Sequence, residues 1–169
     1  MAESSDAELM TELARGSMSA LARLVERHQQ QVRTLAYRFT NRWDVADDIA
    51  HDAFLRLLHA ATRYRPEASL TTWLYRVVVN LCLDQAKRRR PRPLPDVPLL
   101  DPEPGSDELL SQNERAAAVQ QAVRNLPERQ RIAIVLHRFE GLSHAEIAEV
   151  TGWSASAVES LIVRAYGQL

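Results

Sequence analysis

Apolar residues recur at helical spacing along almost the whole chain. Leu9 and Leu13 mark one side of a predicted helix over 6–14, and Leu21, Leu24, Val25, Val32, Leu35 and Ala36 mark a second over 18–39. Gly16 and Ser17 stop the first and start the second. After a polar turn at 40–43, the segment DVADDIAHDAFLRLLHAATRY reads as a third helix with Asp44 as its N-cap. Ala46, Ile49, Ala53, Phe54, Leu57 and Ala61 form its apolar side. Asp48, Asp52, Leu55, Arg56 and His59 gather on the opposite side, with His51 at the edge. A leucine among carboxylates and an arginine suits a protein-docking face, and a merely solvated face fits the pattern as well.

A loop containing Pro66 leads to a fourth helix, SLTTWLYRVVVNLCLDQAKRRRPR, for which Ser69 or Thr71 is the cap. At about 100° per residue, Trp73, Arg76, Asn80, Asp84 and Lys87 fall within an arc of roughly 80°, while Leu74, Val78, Leu81 and Cys82 point the other way. Arg88, Arg89 and Arg90 extend the basic end. An aromatic for stacking and cations for phosphates are what a nucleic-acid surface needs. A charged surface helix with a half-buried tryptophan is the other reading.

Six of the eight prolines then fall between Pro91 and Pro104. Residues 91–106 therefore read as an extended acidic linker between domains at 1–90 and 107–169. The second domain opens with a helix over 107–126, and Pro127 suits the first position of the next, over 128–139. Gly141 ends that helix. Ser143 with Glu146 and Ser156 with Glu159 both match a capping box. Ala148, Gly152 and Val158 have the spacing of a helix-turn-helix: a small residue at the crossing, a permissive turn, and a branched residue packing back. Ile147, Trp153 and Leu161 fill the remaining apolar positions. An ordinary helical hairpin is the alternative. As a helix-turn-helix, its second helix would offer Ser154, Ser156, Ala157, Glu159 and Ser160 to base edges and Arg164 to phosphate or base. With no strand-like alternation of any length, the fold class is all-α: two small helical domains joined by a Pro-rich acidic linker.

Charge changes this picture. The formal net charge is −1, made up of +3 over residues 1–90, −4 over 91–112 and 0 over 113–169. Affinity for duplex DNA comes largely from neutralised phosphates and released counterions, so this chain is expected to bind DNA weakly unless a partner delivers it. At 169 residues, 46% hydrophobic and 25% charged, it can bury real cores. Its start, MAESSDAELM, lacks the basic-then-apolar pattern of a signal peptide, and no run is long enough to span a membrane. A cytoplasmic protein without membrane insertion is expected. The single cysteine, Cys82, reads as a core residue. The five histidines lack metal-ligand spacing, and no phosphate-binding loop or nucleophile motif occurs. No metal, cofactor, small-molecule substrate or enzymatic activity is expected.

Three segments in order carry a family resemblance. DVADDIAHDAFLRL resembles region 2.2, SLTTWLYRVVVNLCLDQAKRRR regions 2.3 and 2.4, and LPERQRIAIVLHRFEGLSHAEIAEVTGWSASAVESL region 4, of the extracytoplasmic-function sigma factors. The resemblance implies a bacterial transcription initiation factor that binds core RNA polymerase, at the β′ clamp and the β subunit, and directs promoter recognition and opening. It implies polymerase docking through Asp48, His51, Asp52, Leu55 and Arg56. Minus-ten reading and melting would fall to Tyr64, Trp73, Arg76, Asn80, Asp84 and Lys87 to Arg90. Within that set Trp73 is the wedge, Asn80 a base-edge reader, and Asp84 an acceptor from a cytosine amino group or an orienter of an arginine. Minus-thirty-five contacts would come from the recognition helix and Arg138, and an anti-sigma factor is implied as a partner. His51 stands where relatives often carry Gln, and Glu159 and Leu161 where many carry Lys and Arg. A free-standing helix-turn-helix regulator is the competing function.

Overall fold

A computed structural model of the chain describes residues 4–65, 69–88 and 107–169, with the backbone alone for 107–113. Every regular element among them is a helix: α1 (Asp6–Ala14), α2 (Met18–Thr40), α3 (Trp43–Ala60), a 3-10 turn (Ala61–Arg63), α4 (Leu70–Arg88), α5 (Asp107–Asn125), α6 (Glu128–Arg138), α7 (His144–Thr151) and α8 (Ala155–Tyr166). The expected linker, 91–106, and the basic residues Arg89 and Arg90 lie outside the described residues.

The first four helices pack as one bundle, with α2 as its hub against α1, α3 and α4. Leu9, Leu24, Leu35, Ile49, Leu57, Leu74 and Val78 are almost wholly buried there. Asp6 fastens α1 to α2, accepting from Arg27 at 2.6 Å and pairing with His28 at 2.9 Å. In the second bundle α6 packs on α8 and α7 on α8, around Ile132, Leu136, Ile147 and Val158.

Helix ends follow local chemistry. Ser5 and Glu8 make a capping box that the sequence reading passed over, Ser17 caps α2, and Ser143 with Glu146 makes the expected box on α7. Asn41 takes the left-handed conformation that closes α2, and Gly152, at φ 73°, does the same between α7 and α8.

Several expected ends move. The N-cap of α3 is Arg42, not Asp44: the Asp44 carboxylate sits in the first turn, beside the positive helix end, and is taken by the Arg42 guanidinium. That pairing holds the Asp44 carboxyl below its ordinary range. Ser154, not Ser156, caps α8, accepting from the Ala157 N–H at 3.2 Å, so no Ser156–Glu159 box forms. Pro127 is the N-cap of α6 rather than its first helical residue. Ser69 is the cap of α4, its hydroxyl accepting from the Thr72 N–H at 3.2 Å. The third helix gives way to the 3-10 turn before Tyr64, whose backbone is extended. Pro66 follows closely and disfavours helix at the residue before it.

Cys82 is 3% exposed, as its apolar side of α4 suggested. Burial first, then nearby Glu128, pushes its thiol up to about 12. Thiolate is the reactive form. The folded chain is therefore expected to resist a thiol-specific disulfide reagent at pH 8 and to react fully once denatured, as absorbance of the released thiol would report.

Candidate nucleic-acid interface

Two surfaces of the first bundle carry the expected site residues. On α3, packing against α2, α4 and the 3-10 turn uses Ala46, Ile49, Ala53 and Leu57. Asp48, His51, Asp52, Leu55, Arg56 and His59 are all exposed on the far side. Leu55 keeps 41% of its surface in water. Spacings of four, three and four residues from Asp48 through Asp52 and Leu55 to His59 draw one stripe along the helix.

On α4, Leu74, Val78, Leu81 and Cys82 are buried as the period required, and Asn80, Asp84, Lys87 and Arg88 are exposed. Lys87 and Arg88 fall in the last turn, where the helix dipole favours cations. Trp73 is half-buried and packed against the core. Tyr64, at the foot of the loop before α4, is half-buried too, and burial raises its hydroxyl above the ordinary tyrosine range.

Arg76 is not bare. Its guanidinium donates to the Glu149 carbonyl oxygen at 3.3 Å and lies 3.7 Å from the Glu149 carboxylate, where α7 packs against α4. The next residue back, Tyr75, is 4% exposed, and its hydroxyl donates to Glu140 Oε2 at 2.6 Å. Burial, followed by the Glu140 carboxylate, raises that hydroxyl far above the tyrosine range. Sequence reasoning missed Tyr75 and Glu140. The one signal was a carboxylate just past the end of α6, where carbonyl ends disfavour an anion that has no partner.

The second bundle forms the helix-turn-helix that the spacing predicted. Ile147 and Val158 are fully buried across the crossing, and Ala148 is packed against the same core. Trp153 is half-buried beneath Arg129, whose guanidinium carbon lies 4.5 Å from its ring centre. Along α8, Ser156, Glu159, Ser160 and Arg164 are exposed, Ala157 is half-buried, and Arg138 is exposed at the end of α6. The Ser154 hydroxyl is occupied by its capping bond.

A second aromatic cluster also escaped the sequence reading. Trp43 stacks on Tyr37 with ring centres 3.9 Å apart, and the Arg33 guanidinium carbon lies over the Trp43 ring, 4.6 Å from its centre. Among the described residues no group of three His, Cys, Asp or Glu side chains could hold a metal ion, and no helix is long and apolar enough to cross a membrane.

The Sigma-70 region 2 family model matches residues 24–92, and the Sigma-70, region 4 model matches residues 116–169. The two matches define a sigma factor of RNA polymerase, with the bundle carrying α3 and α4 as one part and the helix-turn-helix bundle as the other. The extracytoplasmic-function (ECF) RNA polymerase sigma factor SigM of Mycobacterium tuberculosis is 37% identical over 99% of this chain and 84% of its own length. The RNA polymerase sigma-H factor of Pseudomonas aeruginosa is 32% identical over 98% of this chain and 92% of its own. A solved structure of CnrH in complex with the cytosolic domain of CnrY superposes with a TM-score of 0.69 at 28% identity, covering 96% of this chain and 93% of that one. The chain belongs to the ECF RNA polymerase sigma factors. Its relatives are transcription factors, not enzymes, and membership sets aside the free-standing regulator.

Proposed function

We propose that this cytoplasmic sigma factor divides its work among three surfaces, with the domain boundaries at 1–90 and 107–169. The α3 stripe of Asp48, His51, Asp52, Leu55 and Arg56 docks on core polymerase, at the β′ clamp. Tyr64, Trp73, Arg76, Asn80, Asp84, Lys87 and Arg88, together with Arg89 and Arg90 beyond the described end of α4, read and open the minus-ten element. The exposed side of α8, with Ser154, Ser156, Ala157, Glu159, Ser160 and Arg164, and Arg138 from α6, reads the minus-thirty-five element. The linker bridges the two bundles, and an anti-sigma factor is the regulating partner. In the similar solved structure, CnrH is in complex with the cytosolic domain of CnrY.

The observation that carries this reading is the layout of α4. A half-buried tryptophan at its head, fixed by the core on one side, is followed along the same face by an exposed amide, a carboxylate and two cations. A fixed ring is what base extrusion needs. Unstacking a base costs a few kcal/mol, and stacking it on an aromatic side chain returns about 1–3 kcal/mol.

Run-off transcription with core polymerase tests it. Trp73→Ala is expected to bind core polymerase as the parent does and to lower promoter opening by about tenfold, the loss of one such stacking contact. Normal opening by this variant would remove Trp73 from its role.

A further inference from the structure

Glu140 follows the end of α6, yet its side chain is only 8% exposed. Both polar partners of its carboxylate belong to the other bundle. Arg38 of α2 donates to Oε1 at 2.6 Å, and the Tyr75 hydroxyl of α4 donates to Oε2 at 2.6 Å. That hydroxyl in turn accepts from the Gln31 amide. Beside Glu140, the Phe139 ring lies 4.9 Å from the Arg38 guanidinium carbon. A buried carboxylate is tolerated only when it is paired and hydrogen-bonded. Here the pairing is supplied wholly across the boundary between bundles.

We infer that Gln31, Arg38 and Tyr75 form a carboxylate socket on the first bundle, and that Glu140 seated in it latches the free sigma factor closed. The neighbouring Arg76–Glu149 pair, about half exposed on both sides, adds little of its own. Since both bundles belong to one chain, their effective concentration is on the order of millimolar. A modest contact then suffices to close them. A buried ion pair is close to break-even against its own desolvation, so docking on the polymerase can reopen it.

The consequence for DNA rests on the reading of α4 given above. Closure covers Tyr75 and ties Arg76 to α7, while Ser156, Glu159 and Ser160 of α8 stay exposed. Promoter elements centred 25 base pairs apart are separated by about 85 Å at 3.4 Å per step. A compact chain of this size is only roughly 40 Å across. The closed form cannot span both elements, and of the minus-ten residues it engages Arg76 in particular.

The test uses the full chain, free in solution. Spin labels on cysteines introduced at two exposed positions, Arg23→Cys in α2 and Ala145→Cys in α7, report the distance between bundles; buried Cys82 does not compete for label. The parent is expected to show one short distance. Glu140→Lys, which sets a cation against Arg38, should reduce that population about tenfold in favour of longer, broader distances, with helicity by circular dichroism unchanged. The reciprocal pair Arg38→Glu with Glu140→Arg should restore it. An unchanged short population in Glu140→Lys, or no short population in the parent, overturns the latch. Because this readout involves neither DNA nor polymerase, a failure of the Trp73→Ala experiment would unseat the role of α4 and leave the distance result standing.

Discussion

Replacing Asp52 and Leu55 together by alanine is expected to weaken binding to core RNA polymerase by about a hundredfold, with thermal unfolding of the free chain unchanged. Both halves follow from α3. Its fold contacts are made by Ala46, Ile49, Ala53, Phe54 and Leu57, all buried, whereas Asp52 and Leu55 are exposed on the opposite side. Truncating them leaves no cavity in the bundle, and alanine is at least as good a helix former. At an interface the same two side chains would be a desolvated apolar anchor and its charged neighbour. Losing an anchor of that kind costs roughly 2–4 kcal/mol, and about 2.7 kcal/mol is a hundredfold. Fluorescence anisotropy of the labelled sigma factor titrated with core polymerase measures the first half, and a thermal melt the second. Retained binding by the double variant would show that the stripe is only a solvated face.

The near-neutral charge makes that docking step decisive. Without a positive excess to release counterions, the exposed cations at the end of α4 and Arg164 of α8 are too few to hold duplex DNA alone. On the proposed division of surfaces, DNA binding is expected to depend on the polymerase bringing both bundles to their elements, and the proposed Glu140 latch should make the free chain more inert still.

Most of the bundle interior could be read from period alone. Leu24, Leu35, Ile49, Leu57, Leu74 and Val78 recur at helical spacing and are buried because a helix can hide only one side. The α3 stripe was legible for the same reason, since what is left over on such a helix is exposed by default. Gly152 was legible because few residues accept a positive φ. Caps were less so: Ser154 and Ser156 offer the same hydroxyl, and which one meets a free N–H depends on where the turn after Gly152 ends. Hidden altogether was the meeting of Tyr75 with Glu140, 65 residues apart. Helical periodicity says which side of each helix is covered within its own bundle and nothing about which bundle covers the rest. Arg76 illustrates the cost, placed by the sequence on the nucleic-acid face of its helix and found against Glu149.

The largest effect on stability is expected at Leu74. It is 1% exposed and lies directly behind Trp73 in sequence, on the side of α4 that faces the core. Leu74→Ala removes buried methyl groups from a site hemmed in by α2 and α3, both of which pack on α4. Such truncations cost about 2–5 kcal/mol, the spread reflecting how far the surroundings collapse. Against a typical domain stability of about 5–15 kcal/mol, this is a large share. The melting midpoint of the first bundle should fall by on the order of 10 °C. Scanning calorimetry of the full chain would separate this from the second bundle, whose core of Ile132, Leu136, Ile147 and Val158 is built from other helices. The functional outcome should differ from that of Trp73→Ala in its temperature dependence. Leu74→Ala should open promoters nearly normally at 15 °C and fail at 42 °C as the bundle unfolds, while Trp73→Ala should be impaired at both. If Leu74→Ala left the midpoint where it was, α4 would be held in place by something other than its buried side, and Trp73 would have no rigid footing from which to act.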